Sequence, residues 1–260
     1  MGFSADWLAL REPADHAARD VALLHAAIDA AGPHPTIVDV GCGTGSTIRA
    51  FAPLLPEGVR WHLVDNDRGL LERAGAEVGA GATLHCLDIQ ALDTLPLEEA
   101  TLITASALLD IVSAQWLGEL AARVRVPFYA ALSYNGVMTW SPEDPRDAAV
   151  TAAFNTHQRG DKGFGHALGP DAATVARDTF THAGFDVFVA ESPWKLGPPH
   201  EDLQRELVAS IAGAAAEAGE ADALSWGEAR MASAGSAQCT IGHHDLLALP
   251  GTTVMGPHHA

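Results

Sequence analysis

Apolar and polar positions follow two rhythms along the chain. The first is helical: Leu8, Val21, Leu23, Leu24 and Ile28 interleave with Arg11, Asp15, Arg19 and Asp20, until Gly32-Pro33-His34-Pro35 ends the pattern. Short β-rich runs then take turns with longer helical stretches: 36–40 then 46–55, 61–64 then 68–78, 83–87, 102–105 then 115–124, and 127–132. Alternation of this kind predicts βαβ units, hence a doubly wound α/β fold whose mostly parallel sheet carries helices on both faces.

After Ser133 the rhythm changes. Residues 134–169 hold Trp140, the turn-prone Ser141-Pro142-Glu143-Asp144-Pro145 and the glycine-rich Arg159-Gly160-Asp161-Lys162-Gly163-Phe164-Gly165. Helical spacing returns at 171–183, a strand follows at 185–190, and a polar segment with Pro193, Gly197, Pro198 and Pro199 leads into helices at 203–218 and 221–232. The last strand is predicted at 239–249, with the polar Gly242-His243-His244-Asp245 inside an apolar run. With no internal repeat and no clear linker, the expectation is one domain over residues 1–260. It would carry an N-terminal helical cap (1–35) and two excursions (134–184 and 191–236) that supply an acceptor site or lid.

Composition narrows the partners. With 48% hydrophobic and 18% charged residues the chain can bury a sizeable core. Its 15 Lys and Arg against 33 Asp and Glu give a formal charge of −18, which repels phosphate backbones and anionic lipids. Nucleic acid and membrane partners are therefore not expected. No apolar run approaches the roughly eighteen residues of a membrane span. The opening MGFSADWLALREPADHAARD carries charges where a signal peptide is apolar. Cys42, Cys86 and Cys239 are scattered, with no C-x-x-C pair or zinc-type cluster, which fits a reduced, cytoplasmic setting. The alanine content, about a fifth of the chain, reads as the bias of a GC-rich bacterial genome.

The chemistry is most legible at Val38-Asp39-Val40-Gly41-Cys42-Gly43-Thr44-Gly45, where the first strand passes into a helix. Glycines there let the chain turn sharply and bring main-chain N–H groups to a ligand at a helix N-terminus. The G-x-G-x-G spacing, with Asp39 two residues ahead, suits a ligand bearing an ammonium or hydroxyls better than a pyrophosphate. Twenty residues past Gly45 the second strand ends in Val64-Asp65-Asn66-Asp67, where a carboxylate can accept two hydrogen bonds from a ribose diol. The third ends in Leu87-Asp88-Ile89, one strand further out.

Together with the stretch TASALLDIVS at 104–113, these motifs resemble the class I S-adenosylmethionine (SAM)-dependent methyltransferases over residues 36–133. The resemblance implies a seven-stranded Rossmann-like sheet with a reversed last strand, and SAM as cofactor. It assigns Asp39, Gly41, Gly43 and Gly45, with Cys42 in the same loop, to the amino acid portion of the cofactor. Asp65 would hold the ribose with Asn66 beside the adenine, Asp88 and Ile89 would meet the adenine edge, and Ser106 would line the methionine side. Family members often join the last two strands by a short connection, whereas about fifty residues intervene here. Cys42 is explained by its small size rather than by thiol chemistry.

Acceptor residues should come from the loops beyond strands four and five. The segment 155–165 joins His157, Arg159, Lys162 and Phe164. His157 is the candidate base, and Arg159 and Lys162 are candidate partners for an anionic group. The alternative is a solvated loop whose cations pair with surface acids. Tyr134 and Trp140 would wall the acceptor or simply pack. His243 and His244 point to opposite faces of a strand, so they cannot easily share a metal; a surface or satisfied role is favoured over one of them reaching an active site from the last strand. No metal is expected. Trp7, Arg11 and Arg19 could fold over the cofactor as a cap; a surface helix with acidic partners is the favoured reading for the arginines. Gly256-Pro257-His258-His259 reads as a polar tail. The expected activity is methyl transfer to a small molecule, with the acceptor, the methylated atom and the oligomeric state left open. The rivals are methylation of protein or RNA, a non-catalytic SAM sensor and a nucleotide-dependent oxidoreductase.

Overall fold

The computed structural model describes residues 4–251; the tail at 256–259 lies outside them. Eight strands form one sheet: β1 (Thr36–Val40), β2 (Arg60–Asp65), β3 (Ala82–Cys86), β4 (Leu102–Ser106), β5 (Phe128–Ser141), β6 (Phe185–Glu191), β7 (Trp194–Leu196) and β8 (Gln238–Pro250). Their order is β3-β2-β1-β4-β5-β8-β6, with β7 paired to β8 off this path. The pairs among β1 to β5 are parallel, and β8 runs antiparallel to β5, β6 and β7. The chain winds outward from β1 to β3, then returns to β4 on the other side of β1. That reversal opens a crevice at the carboxyl ends of β1 and β4. Every residue of β1 is buried, as a central parallel strand covered on both faces requires, whereas edge strand β3 is largely exposed.

Nine helices surround the sheet among the described residues: α1 (Ala5–Ala18), α2 (Val21–Ala31), α3 (Ser46–Phe51), α4 (Arg68–Val78), α5 (Ala114–Arg123), α6 (Asp147–Gln158), α7 (Ala172–His182), α8 (Glu201–Glu217) and α9 (Ala223–Ser233). Side chains set several of their starts. Asp67 Oδ1 accepts the N–H groups of Gly69 and Leu70 at the head of α4, and Ser113 Oγ accepts that of Trp116 at the head of α5. Each such cap is worth about 1 kcal/mol. On one face of the sheet, α5 and α7 bury Leu117, Leu120 and Phe180 against Val38, Ile103 and Phe128. On the other, α2, α3 and α4 bury Ile28, Phe51 and Leu71 against Ile37, Leu63 and Tyr129. A third core, with Trp140, Trp194, Ile211 and Trp226, lies under α6, α8 and α9.

Three features depart from the sequence expectations. The fifth strand does not stop at residue 132: β5 runs on to Ser141, pairing with β8 as far as Gln238. Its register slips twice, between Ala130 and Ser133 and between Tyr134 and Met138, and Leu132 (φ 59°) and Gly136 (φ 85°) are left-handed. Bulges of this kind re-aim a strand without ending it, and their polar and glycine residues read as a turn. The long β5–β8 ribbon thus forms the base of the third core, and part of the first excursion is sheet.

The N-terminal pattern is two helices rather than one. Arg19 leaves helical geometry (φ −52°, ψ 136°), and Asp20 caps α2 by accepting the Leu23 N–H at 2.8 Å. At this corner the Arg19 side chain turns inward, where it is 5% exposed. Finally, short β7 was not foreseen, because three residues of strand between prolines carry no periodic signal.

Candidate functional site

Two adjoining cavities occupy the crevice. The first, about 230 Å³, opens beside the glycine turn and is lined by Gly41, Gly43, Asp65, Asn66, Asp88, Ile89 and Ser106. These seven residues come from the ends of four strands that share no local sequence. Gly41, Gly43 and Gly45 all have positive φ, which an L side chain resists. At Gly45 a Cβ would also come within 3.0 Å of Ile48 and 3.3 Å of the Ala74 Cα, so that glycine serves the packing of α3 on α4 and does not line the cavity. Asp65 organises the turn: Oδ2 accepts the Gly43 N–H and Oδ1 the Asp67 N–H, both at 2.9 Å. Asp88 is exposed, its Oδ1 accepting the Gln90 N–H, and the Ile89 carbonyl accepts the Trp116 indole N–H at 2.8 Å.

Asp39 and Cys42 lie behind this cavity rather than on its wall. Asp39 is 1% exposed, and its Oδ1 accepts the Thr104 hydroxyl at 2.7 Å while Oδ2 has no partner among the described residues. Burial pushes its carboxyl up to about 6, opposed by the Thr104 hydrogen bond, the Arg19 charge and the nearby Thr47 hydroxyl. Cys42 is buried, and its thiol is held protonated by burial and by the charges of Asp39 and Asp65. Arg19 joins this cluster by donating to Ser106 Oγ at 3.1 Å, and Ser106 in turn meets Thr47 at 3.0 Å.

The second cavity, about 420 Å³, lies against the first. Arg11, Ala107, Ile111 and Lys162 line both. Helix α1 is therefore a partition wall and not the surface helix favoured from sequence. It is tied to β7 by Asp15, which accepts from Arg11 at 2.9 Å and from the Trp194 indole at 3.0 Å, with the Arg11 guanidinium 4.9 Å from the Trp194 ring centre. An Arg49–Glu12 ion pair ties it to α3.

The 155–165 segment divides. His157 and Lys162 line the second cavity, whereas Arg159 pairs with Asp171 at 3.0 Å on the surface and lines neither. His157 has both ring nitrogens engaged, Nδ1 3.2 Å from the Lys162 ammonium and Nε2 3.1 Å from Glu217. Phe164 lines the first cavity, its ring edge-on to Trp116 at 5.9 Å. The Tyr134–Trp140 pair also splits. Tyr134 lines the second cavity and donates to Asn155 at 2.8 Å; Trp140 packs on Trp226 at 5.3 Å in the third core.

Two further residues line the second cavity: Asp110, which the sequence reading did not single out, and His243, whose reach into a site was the less favoured reading. Asp110 follows β4 inside the apolar Leu108-Leu109-Asp110-Ile111-Val112, where a lone acid was the available signal. His243, for which a surface or satisfied role was favoured, is 6% exposed against Trp194 and Tyr134, and its Nδ1 has no partner among the described residues. His244, its neighbour, is half-buried on the opposite face. Among the described residues no three His, Cys, Asp or Glu side chains gather as a metal would require, and no helix is long and apolar enough to cross a membrane.

Residues 37–126 match the family model described as a methyltransferase domain. The fold is that of cyclopropane synthase MmaA2 from Mycobacterium tuberculosis, 14% identical, with 95% of this chain and 94% of that one covered at a TM-score of 0.52. It is equally similar to the YcgJ protein from Bacillus subtilis, at 14% identity, 89% and 99% coverage and a TM-score of 0.52. No curated protein matches the chain. The matched residues run from β1 past α5 on this sheet, and the methyltransferase domain matched there points to SAM as the cofactor.

The residues present fit that cofactor. Carboxylates at Asp65 and Asp88 face the cavity beside the glycine turn, and the acidic and hydroxyl groups there suit a sulfonium and a ribose diol. SAM supplies an electrophilic methyl group on a positively charged sulfur.

Proposed function

We propose that the protein transfers a methyl group from SAM, bound in the smaller cavity, to a small molecule held in the larger one. The observation that carries this reading is the shared wall of Arg11, Ala107, Ile111 and Lys162, which brings the two cavities into contact beside Ser106. Methyl transfer is an in-line displacement, so the protein's main task is to align nucleophile, methyl and sulfur. A junction between two cavities does so by bounding both reactants.

In this reading Gly41, Gly43 and Ser106 border the amino acid end, Asp65 and Asn66 the ribose, and Asp88, Ile89 and Phe164 the adenine. Asp39, Cys42 and Gly45 support the turn from behind. Helices α1 and α2 act as the cap, and α6, the 159–169 loop and α8 enclose the acceptor. Tyr134, His157 and Lys162 belong to the acceptor wall, and Arg159 contributes only through its surface pair with Asp171. The net charge of −18 and the limited volume of the second cavity, about 420 Å³, favour a small acceptor over nucleic acid.

The test is calorimetric titration with SAM and S-adenosylhomocysteine, repeated on Asp65→Ala. Saturable binding to the native protein, weakened about 100-fold by the substitution, is expected, because the loss would strip both a ligand contact and the anchor of the Gly43 N–H. Failure of the folded native protein to bind either compound would overturn the proposal.

A further inference from the structure

Two ionisable side chains on the wall of the larger cavity have a buried polar atom with no hydrogen-bond partner among the described residues: Asp110 at Oδ1 and His243 at Nδ1. Buried polar atoms are ordinarily paired, and an orphan on a cavity wall is a position a ligand can satisfy. Asp110 is adjacent in sequence to Ile111, which lines both cavities, so it stands beside the junction where the methyl group would cross. Its loop is fixed, because the Asp110 carbonyl accepts the Gly169 N–H at 2.9 Å and the Val112 carbonyl accepts the Leu168 N–H at 2.8 Å.

The other candidate bases are weaker. Both ring nitrogens of His157 are engaged, and Glu206 is exposed. His243 is pushed down to about 3 by burial and by the Arg11 and His244 charges, so it has little affinity for a proton. Asp110 moves the other way: burial pushes it up to about 6, against main-chain N–H groups of Asp110 and Tyr134 and the charges of Arg11 and Lys162. At neutral pH it is mainly ionised yet more basic than an exposed carboxylate, as a general base should be. The rest of the wall restricts the acceptor's body. Trp7, Phe154 and Trp194, with Met138, Ile211 and Ile241, offer flat and apolar surface. Arg11 and Lys162 line the same space, repel an ammonium and favour an oxygen that gains negative charge as it loses its proton.

Resting on the two-cavity reading above, we propose that the acceptor is a compact aromatic compound bearing a hydroxyl group, and that Asp110 is the catalytic residue that takes the hydroxyl proton. The hydroxyl oxygen forms a bond to the methyl carbon as the carbon–sulfur bond breaks, and the electron pair of that bond stays on sulfur. The O–H proton passes to the Asp110 carboxylate. A sulfonium and a carboxylate are thereby replaced by a neutral thioether and a neutral carboxyl, and the proton leaves to water after the methyl ether departs.

The test uses protein saturated with S-adenosylhomocysteine and compares binding of 4-ethylphenol with 4-ethylanisole, which has the same body without the proton. At pH 7.5 the phenol should bind about 10-fold more tightly, the range of a hydrogen bond to a charged group. At pH 5, with Asp110 mostly protonated, the preference should fall below about 3-fold. The other walls contribute Arg11 from α1, Tyr134 from β5, His157 and Lys162 from α6 and its loop, Glu206 from α8 and His243 from β8. Asp110→Asn separates their titration from its own: the preference should be small at both pH values, with S-adenosylhomocysteine affinity retained and the melting temperature not lowered. Equal binding of phenol and ether to the native protein at pH 7.5 would overturn the proposal. So would a preference that survives Asp110→Asn, or no binding of either probe to protein that has bound S-adenosylhomocysteine. Should Asp110→Asn not fold, the native pH comparison decides alone. Lack of S-adenosylhomocysteine binding would instead overturn the two-cavity reading itself.

Discussion

The cofactor cavity is bordered by strand ends and main chain gathered mostly from residues 41–111, whereas the larger cavity is walled by side chains from α1, β5, α6, β7, α8 and β8. In the first, one carboxylate, Asp65, accepts N–H groups from the glycine turn and from its own strand end. In the second, contacts such as Asp15 to Trp194 span 179 residues. A cofactor shared by many enzymes can be met by a local turn that tolerates little change. An acceptor peculiar to one enzyme is met by an assembly of distant parts, each replaceable without disturbing the turn.

That contrast can be broken by measurement. The largest effect is expected at Asp245, fully buried on β8, whose Oδ2 accepts from Tyr129 Oη and the Asp20 N–H and whose Oδ1 accepts from the Leu132 N–H. Asp245→Ala strands three buried donors and should cost about 3–5 kcal/mol in urea unfolding. A loss below about 1 kcal/mol would mean that the distant parts hold together without it. Next comes Asp65→Ala, whose expected 100-fold weakening of cofactor binding equals about 2.7 kcal/mol. The same substitution should leave 4-ethylphenol binding to the cofactor-free protein within about 3-fold, and a larger change would show the two cavities to be one energetic unit.

Asp39→Asn should act with the opposite sign. The folded carboxyl titrates near 6, above its ordinary 3.8, so the folded state binds the extra proton between those values. The stability of the native protein therefore carries a penalty that grows as pH rises from about 4 to 6 and is full above it. The variant's advantage in thermal unfolding should follow that rise and reach about 2 kcal/mol at pH 7. An advantage independent of pH would remove the buried charge as its cause. The smallest effect is expected at Arg159→Ala, which breaks an exposed pair with Asp171 and should shift stability by less than about 0.5 kcal/mol while leaving binding in both cavities unchanged.

The sequence made the smaller cavity legible because its information is local. The G-x-G-x-G turn, Asp65 and Asp88 each follow a short apolar run, and strand periodicity alone brings them to one edge of a parallel sheet. Asp39, Cys42 and Gly45 belong to the same turn, but side-chain direction decides that they stand behind it, and spacing does not report direction. The acceptor half resisted because its determinants are non-local. The bulges in β5 hid a fourteen-residue strand behind Ser133, Asn135 and Gly136. Arg19, read within one helix, turned out to define the corner between two. His243 reads as an ordinary polar residue until Trp194 and Tyr134, 49 and 109 positions away, are brought against it.

The Asp245 carboxylate also bears on the order in which the molecule is made. It joins the head of α2 to the bulge in β5 across separations of 225 and 113 residues. During synthesis the cofactor turn and β1 to β4 emerge first and can pair with one another. The floor of the larger cavity and the corner at Arg19 wait for β8, which is made after the other seven strands. Contacts of such long range are slow to close. A nascent chain would thus hold its glycine turn well before it had anywhere to receive a second reactant.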